Sequence, residues 1–454
     1  MPTTPRSERL SLAQKLAYGA GDFGPAVAAN LLVFFWLPFL TNTVGLAAGI
    51  AGSILSISKI WDVVNDPVVG VLTDRTRSRW GRRRPWLLFG AIPFGLAFFA
   101  QWLVPFPGNL SASFWYYLAL ALVFSSLYAV VNLPYTALTP ELTDDYDERT
   151  SLSNYRFAFS IGGSLISGVT FPLILQQFGE RSALAHAVAA GLWAVLSVPP
   201  LFWCFLGTRE RYQAAPASTI PLIEQLRIAF ANRAYLYVVG LYLCSWLAVQ
   251  LVATVVPYYV SFWMRLSNNW LAGTILAIQG AAFAALFVWN AVSERIDKQK
   301  VFYLGMVFLL TALTGLAFLQ PGQQNWMIAL SVVAGIGVST VYLIPWSMLP
   351  DVIDVDELET GERHEGVFYA LLVLLQKVGL ALSLLLVGQI LQFSGFEGTA
   401  SQQPDSALLA LRAIICPIPA VALLGSLLFA WLYPITREKH QQTLLALKER
   451  RQQL

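Results

Sequence analysis

The sequence predicts an all-α membrane protein with twelve transmembrane helices in two six-helix halves. Three observations carry this reading: an apolar composition, twelve apolar runs of spanning length, and loops that alternate between basic and nearly uncharged. Of 454 residues, 56% are hydrophobic and only 12% are charged, and mean hydropathy is +0.59. A soluble domain carries about 25% charged residues. Half that charge leaves too little polar surface to keep a chain of this size in water, whereas lipid tolerates an apolar exterior. The net charge of +3 by itself argues neither for nor against nucleic acid. In a membrane chain no nucleic acid partner is expected.

A helix needs about 20 residues to cross the hydrocarbon core. Runs of that length lie at 18–41, 49–73, 86–105, 113–139, 154–176 and 183–207 in the first half. In the second they lie at 233–262, 268–292, 301–320, 325–350, 366–392 and 406–434. Pro and Gly recur inside them, as membrane helices allow. The first run follows a polar leader without a short apolar core and small-residue cleavage site, so no signal peptide is expected. The sixth ends at the longest connection, 208–232, which divides the chain into 1–207 and 233–454. Within it, Pro221 to Phe230 places Leu222, Ile223, Leu226 and Phe230 on one helical face. That reads as a short amphipathic helix on the membrane surface, with an ordinary solvated linker as the alternative.

Loop charge sets the orientation. Arg6, Arg9 and Lys15 precede the first run, and Arg75 to Arg84 separate the second and third. Arg209, Arg211 and Arg227 lie in the middle, Arg295, Lys298 and Lys300 follow the eighth run, and Arg437 to Arg451 close the chain. The alternate loops hold little Lys or Arg beyond Arg181 and Arg265. The positive-inside rule then puts both termini in the cytoplasm, which requires an even number of spans. The halves also echo each other. LPYTALTPELTDDYDERT from Leu133 closes helix 4, and IPWSMLPDVIDVDELETG from Ile344 closes helix 10. Each is a Pro-aromatic-hydroxyl step followed by an acidic loop.

Several motifs exclude chemistry. Gly19 to Gly24 is a literal GxGxxG, but a basic leader precedes it and a membrane run follows, without the strand that a dinucleotide fingerprint needs. It reads as a Gly-rich helix packed closely on its neighbours. No Walker A, HExxH or Gly-x-Ser-x-Gly sequence is present, so no enzymatic activity and no cofactor are expected. Cys204, Cys244 and Cys416 lie in apolar runs and form no disulfide framework or metal-ligand spacing. His186, His364 and His440 lie far apart in sequence, and no bound metal is expected beyond a transported cation.

Charges inside apolar runs cost about 2.5–3.5 kcal/mol each on insertion, so those present ask for a function. Lys59, Asp62 and Asp66 stand at i, i+3 and i+7 of helix 2, on one face, with Asn65 beside them. Two carboxylates one turn apart with an amide oxygen make a hard oxygen site suited to Na⁺, Li⁺ or a proton. Lys59 can neutralise one carboxylate when the site is empty. A self-satisfied salt bridge is the alternative, but two acids against one base leave a negative charge. Lys377 on helix 11 is too deep to snorkel and is expected to face a central cavity. Arg156 on helix 5 sits nearer the cytoplasm, where pairing with the acidic loop, gating and substrate contact are all open.

Gly70 to Arg84, with Asp74, Arg75, Arg82 and Arg83, resembles the loop 2–3 motif GxxxDRxxxxxxGRR of major facilitators. Its charges are expected to latch helix ends in one conformation. More specifically, KIWDVVNDPVVG, RSRWGRRRP, NLPYTALTPELT and DVIDVDELETGERHEG resemble, in order and over essentially the whole chain, the glycoside–pentoside–hexuronide:cation symporter family. The melibiose permease belongs to it. The resemblance implies a major facilitator fold in the cytoplasmic membrane, alternating access, and cation (Na⁺ or H⁺)-coupled symport of a sugar or glycoside by a monomer. It implies that Asp62, Asp66, Asn65 and Lys59 hold the cation. The family's cavity lysine matches Lys377 and its helix-5 arginine matches Arg156.

The galactoside-binding acids of the melibiose permease align instead with Ala26 and Asn132, its helix-4 aromatic with Thr136, and its Na⁺-binding threonine with Ala129. The cation machinery persists while the galactoside groups do not. Tyr18, Asp22, Tyr128, Asn132, Tyr135, Thr136, Trp346 and Lys377 are the expected substrate-binding residues. Eukaryotic relatives of this architecture that carry lysophospholipids share the helix-2 motif, so a lysolipid is the alternative substrate. A passive channel or a receptor would not need the paired carboxylates.

Overall fold

The computed structural model of the protein describes residues 10–143, 145–179, 182–211, 222–293, 295–361, 364–400 and 402–453. All twelve spans are helical. Helix 1 is assembled from Leu12–Ala20, Phe23–Leu31 and the π-helical turns Leu32–Trp36 and Phe39–Thr43. Helices 2 to 6 are Ala48–Arg75, Arg84–Ala100, Leu110–Ala137, Tyr146–Phe178 and Ala183–Gly207. Helix 7 runs Arg233–Tyr258 and ends in a π turn, Tyr259–Trp263, as helix 1 does. Helices 8 to 11 are Asn268–Ser293, Lys298–Phe318, Gln324–Thr360 and Glu365–Phe393. Helix 12 is broken at Cys416 into Asp405–Ile415 and Pro417–Leu432.

Nine of these helices, among the described residues, are long and apolar enough to cross a membrane by length and composition alone. Helix 3 is shorter, helix 1 is interrupted, and helix 2 carries its charges mid-span. Helix 10, at 37 residues, is about 55 Å long. A hydrocarbon core of about 30 Å leaves its acidic end outside the lipid. It stops at Gly361, whose φ of +80° only glycine adopts freely. The linker holds a helix at Leu222–Ala231 and the tail a helix at Arg437–Gln453. Pro221 and the side chains of Leu222, Ile223 and Leu226 lie outside the described residues.

The chain divides into two compact units. The first comprises Met1–Pro216, Leu266–Ala272 and Leu385–Ala407, and the second Ala217–Arg265, Gly273–Leu384 and Leu408–Leu454. In the first unit helix 2 packs on helix 4, helix 3 on helices 4 and 6, and helix 1 on helices 5 and 6. In the second, helix 10 packs on helices 7 and 9, and helix 12 on helix 7.

The glycines of helix 1 act by close approach. A Cβ on Gly19 would stand 2.8 Å from the Tyr155 carbonyl of helix 5, and one on Gly21 2.5 Å from the Tyr135 ring of helix 4. One on Gly24 would stand 2.5 Å from the Ser197 carbonyl oxygen of helix 6. The GxGxxG is therefore a three-way packing surface. Backbone cannot step aside as a side chain can, so Gly24→Ala should cost about 1–3 kcal/mol. A Cβ on Gly162 meets nothing within 4 Å. Gly162→Ala should therefore leave the melting temperature of the purified protein unchanged while Gly24→Ala lowers it.

Candidate cation and substrate site

On helix 2 the charged stripe forms as its spacing implies. Lys59 Nζ lies 3.3 Å from Asp62 Oδ2. Asp62 and Asn65 are buried, and Lys59 and Asp66 are half-buried. Ser125 Oγ of helix 4 donates to the Ser58 carbonyl at 3.3 Å, and Trp61 Nε1 donates to Ser126 Oγ at 3.0 Å. These bonds fix which face helix 2 turns to helix 4. Among the described residues Asn65 Nδ2 is buried without a hydrogen-bond partner.

Helices 1, 4 and 5 carry further polar residues of the first unit. Arg156 Nε pairs with Asp22 Oδ2 at 3.0 Å, and its guanidinium lies 5.6 Å from the Tyr135 ring centroid. The acidic loop is served by another cation, since Lys15 Nζ meets Glu148 Oε1 at 3.1 Å. Tyr128, Asn132 and Thr136 follow at i, i+4 and i+8 along helix 4, all half-buried. The Thr136 hydroxyl donates to the Leu133 carbonyl at 3.0 Å. Tyr18 and Tyr135 are fully buried and stack at 5.1 Å. Tyr135 donates its hydroxyl to the Tyr18 carbonyl at 2.9 Å, and the Tyr18 hydroxyl bonds Thr139 Oγ1. The first bond ties helix 1 to helix 4, and the second ties it to the short helical turn Thr139–Leu142 that follows.

The loop between helices 2 and 3 is a closed ionic network. Arg83 bonds Asp74, Thr73 Oγ1 and Glu141, and Arg82 bonds Glu141. Glu141 is almost completely buried, and its hydrogen bond holds the Arg82 guanidinium above its usual pKa. Arg75 is exposed. Glu210 accepts from the amides of Arg82, Arg83 and Arg84 at 2.5, 2.8 and 3.0 Å, capping helix 3 from beyond helix 6. Its carboxylate stabilises the helix N-terminus as a side-chain cap does. Neither Glu141 nor Glu210 stands out in the sequence. Glu141 follows Pro140 in the first half as Asp351 follows Pro350 in the second. In the second unit the matching acid after Pro350, Asp351, takes both carboxylate oxygens to Lys298 Nζ at 2.8 and 2.7 Å.

In the second unit Trp346 lies 6.1 Å from Tyr242 and 6.1 Å from Tyr369, ring to ring. Lys377 is half-buried on helix 11. The two histidines nearest the end of helix 10 pair with its acids: His364 Nδ1 with Asp356 at 2.7 Å and His440 Nε2 of the tail with Asp354 at 3.0 Å.

Comparison with known proteins agrees with this architecture. The chain is 45% identical to an uncharacterized symporter of Synechocystis sp., over 98% of each chain. It is 27% identical to the sodium-dependent lysophosphatidylcholine symporter 1 of Mus musculus, over 99% of this chain and 90% of that one. Its fold matches the crystal structure of the nucleoside transporter NupG with a TM-score of 0.66 at 12% identity, over 93% of this chain and 99% of that one. The family model for MFS/sugar transport proteins matches residues 17–437. The protein is an integral membrane symporter of the major facilitator fold, and it belongs to the MFS/sugar transport protein family.

Proposed function

We propose that the protein couples uptake of a neutral sugar or glycoside to a co-transported Na⁺ or H⁺, as a monomer working by alternating access. The observation that carries this is the helix-2 stripe, in which Lys59 reaches Asp62, Asn65 is buried beside it, and Asp66 stands one turn further on. Asp62 and Asp66 take the cation. Turning the Asn65 amide over offers it a neutral oxygen, which accounts for the orphaned Nδ2. Lys59 balances the charge when the cation is absent. Asp22, Arg156, Tyr128, Asn132 and Thr136 bind the substrate, Tyr18 and Tyr135 hold helix 1 in place beside them, and Trp346 and Lys377 are its further ligands. The network of Asp74, Arg82, Arg83 and Glu141, with Arg75 at its edge, holds one conformation and releases in the other.

The protein resides in the cytoplasmic membrane with both termini inside and the loops at 42–48, 106–112 and 321–324 outside. Single-cysteine variants on a background without the native cysteines test this. A membrane-impermeant maleimide should label Asn109→Cys but not Trp80→Cys in sealed cells, and the reverse pattern inverts the topology. A lysolipid substrate is the second reading, favoured by the full-length similarity to the lysophosphatidylcholine symporter. Counterflow in proteoliposomes with sugars, glycosides and lysophosphatidylcholine in parallel decides between them.

A further inference from the structure

The second unit carries an aromatic cluster larger than Trp346 alone. Trp246 of helix 7 lies 5.6 Å from Tyr242 and 5.8 Å from Tyr342 of helix 10, the latter at 62°. Tyr342 stands eighteen residues into the 37-residue helix 10, at mid-span, yet is 42% exposed. The pyrrole edge of Trp246 faces helix 11, since its Cδ1 would lie 3.4 Å from a Cβ on Gly379. Gly379 is two residues beyond Lys377. Gln250 follows Trp246 by one turn on helix 7, so the two share a face.

These two side chains are unsatisfied in a complementary way. Trp246 Nε1 is a donor only, and Gln250 Oε1 is an acceptor. Both atoms are shielded from solvent, and among the described residues neither has a hydrogen-bond partner. A buried polar atom left unpaired is costly and asks for an explanation. A hydroxyl carries what each lacks, an acceptor for the indole N–H and a donor for the amide oxygen. An acyl chain satisfies neither.

We propose that Trp246, Gln250 and Tyr342 form a subsite for one ring of a neutral glycoside, in which Tyr342 stacks on the C–H face and Trp246 with Gln250 reads one ring hydroxyl. The inference rests on the glycoside reading above. A water molecule trapped between the two atoms is the competing occupant.

The test uses the purified full-length protein in proteoliposomes with methyl β-D-glucopyranoside, methyl α-D-galactopyranoside and methyl β-D-xylopyranoside as probes. The probe carried best is then compared with its monodeoxy analogues. Trp246→Phe keeps an aromatic ring and loses the N–H, and Gln250→Leu loses the acceptor. Each should raise KM roughly tenfold, the value of one hydrogen bond, with kcat within about twofold. The deoxy position penalised in the wild type should lose its penalty in Trp246→Phe, and Tyr342→Ala should lose affinity. If Trp246→Phe and Gln250→Leu lower the melting temperature but leave KM and the deoxy pattern unchanged, the occupant is water and the subsite is overturned. Should Gln250→Leu fail to fold, Trp246→Phe with the deoxy series decides alone. Wild-type protein that carries none of the three glycosides overturns the glycoside reading itself, and the subsite with it.

Discussion

Asp62→Asn and Asp66→Asn should each abolish gradient-driven accumulation while leaving exchange of substrate across the membrane measurable. Two carboxylates one turn apart on a membrane helix repel each other and are retained ionised only with a counter-charge. Lys59, 3.3 Å from Asp62, supplies it when no cation is bound. An arriving Na⁺ or H⁺ takes over that role and frees the lysine, and this exchange ties cation binding to the state of the site. Asparagine keeps the shape and an oxygen but removes the charge that draws the cation in. One charge moved fully across 100 mV is worth about 2.3 kcal/mol, or about fiftyfold accumulation. In either variant the steady-state ratio of inside to outside substrate should fall to about one. Counterflow under equal ion concentrations should persist in part, because Asn132, Thr136 and Arg156 are untouched. Full accumulation by both variants would place the coupling site elsewhere.

Glu141→Ala should cost stability more than any other single change in the loop network. Glu141 is 1% exposed and shared by Arg82 and Arg83. Removing the carboxylate leaves a guanidinium that is itself mostly buried to find new partners. Breaking a buried pair from one side costs about 3–5 kcal/mol. Arg82 keeps some solvent access and Arg83 keeps Asp74 and Thr73, which points to the lower end, about 3 kcal/mol. Glu141→Gln retains an acceptor and should lose less. Thermal denaturation of the purified variants checks the order. A melting temperature for Glu141→Ala equal to wild type would show that the network contributes nothing to this conformation.

The parts of this molecule that were legible in the sequence are those set by local periodicity or by lipid. The twelve spans follow from apolar length, and the Lys59, Asp62 and Asp66 face follows from the pitch of a single helix. The rejection of the GxGxxG as a nucleotide site needed only its flanks, and its glycines do pack on helices 4, 5 and 6. What escaped were pairings between helices. Arg156 and Asp22 are 134 residues apart, and nothing local shows that helix 5 runs beside helix 1. Glu141 was one of several acids in an acidic loop, and only its burial separates it from the rest. Tyr18 and Tyr135 read as cavity residues because they are polar aromatics at matched helix ends, yet their hydroxyls are engaged within the helix packing. Trp246 and Tyr342 look like any aromatic in an apolar run, because a membrane helix has no polar side to mark its inner face.

The central claim, that cation flow drives substrate accumulation, is tested most directly in proteoliposomes of the wild-type protein loaded with no substrate. Uptake of a glycoside is followed under an inward Na⁺ gradient, an inward H⁺ gradient, and neither. The account predicts accumulation above the external concentration with one of the two gradients, collapse when an ionophore dissipates that gradient, and further increase with an inside-negative potential. Equal uptake in all three conditions, levelling at the external concentration, would contradict it and describe a passive carrier.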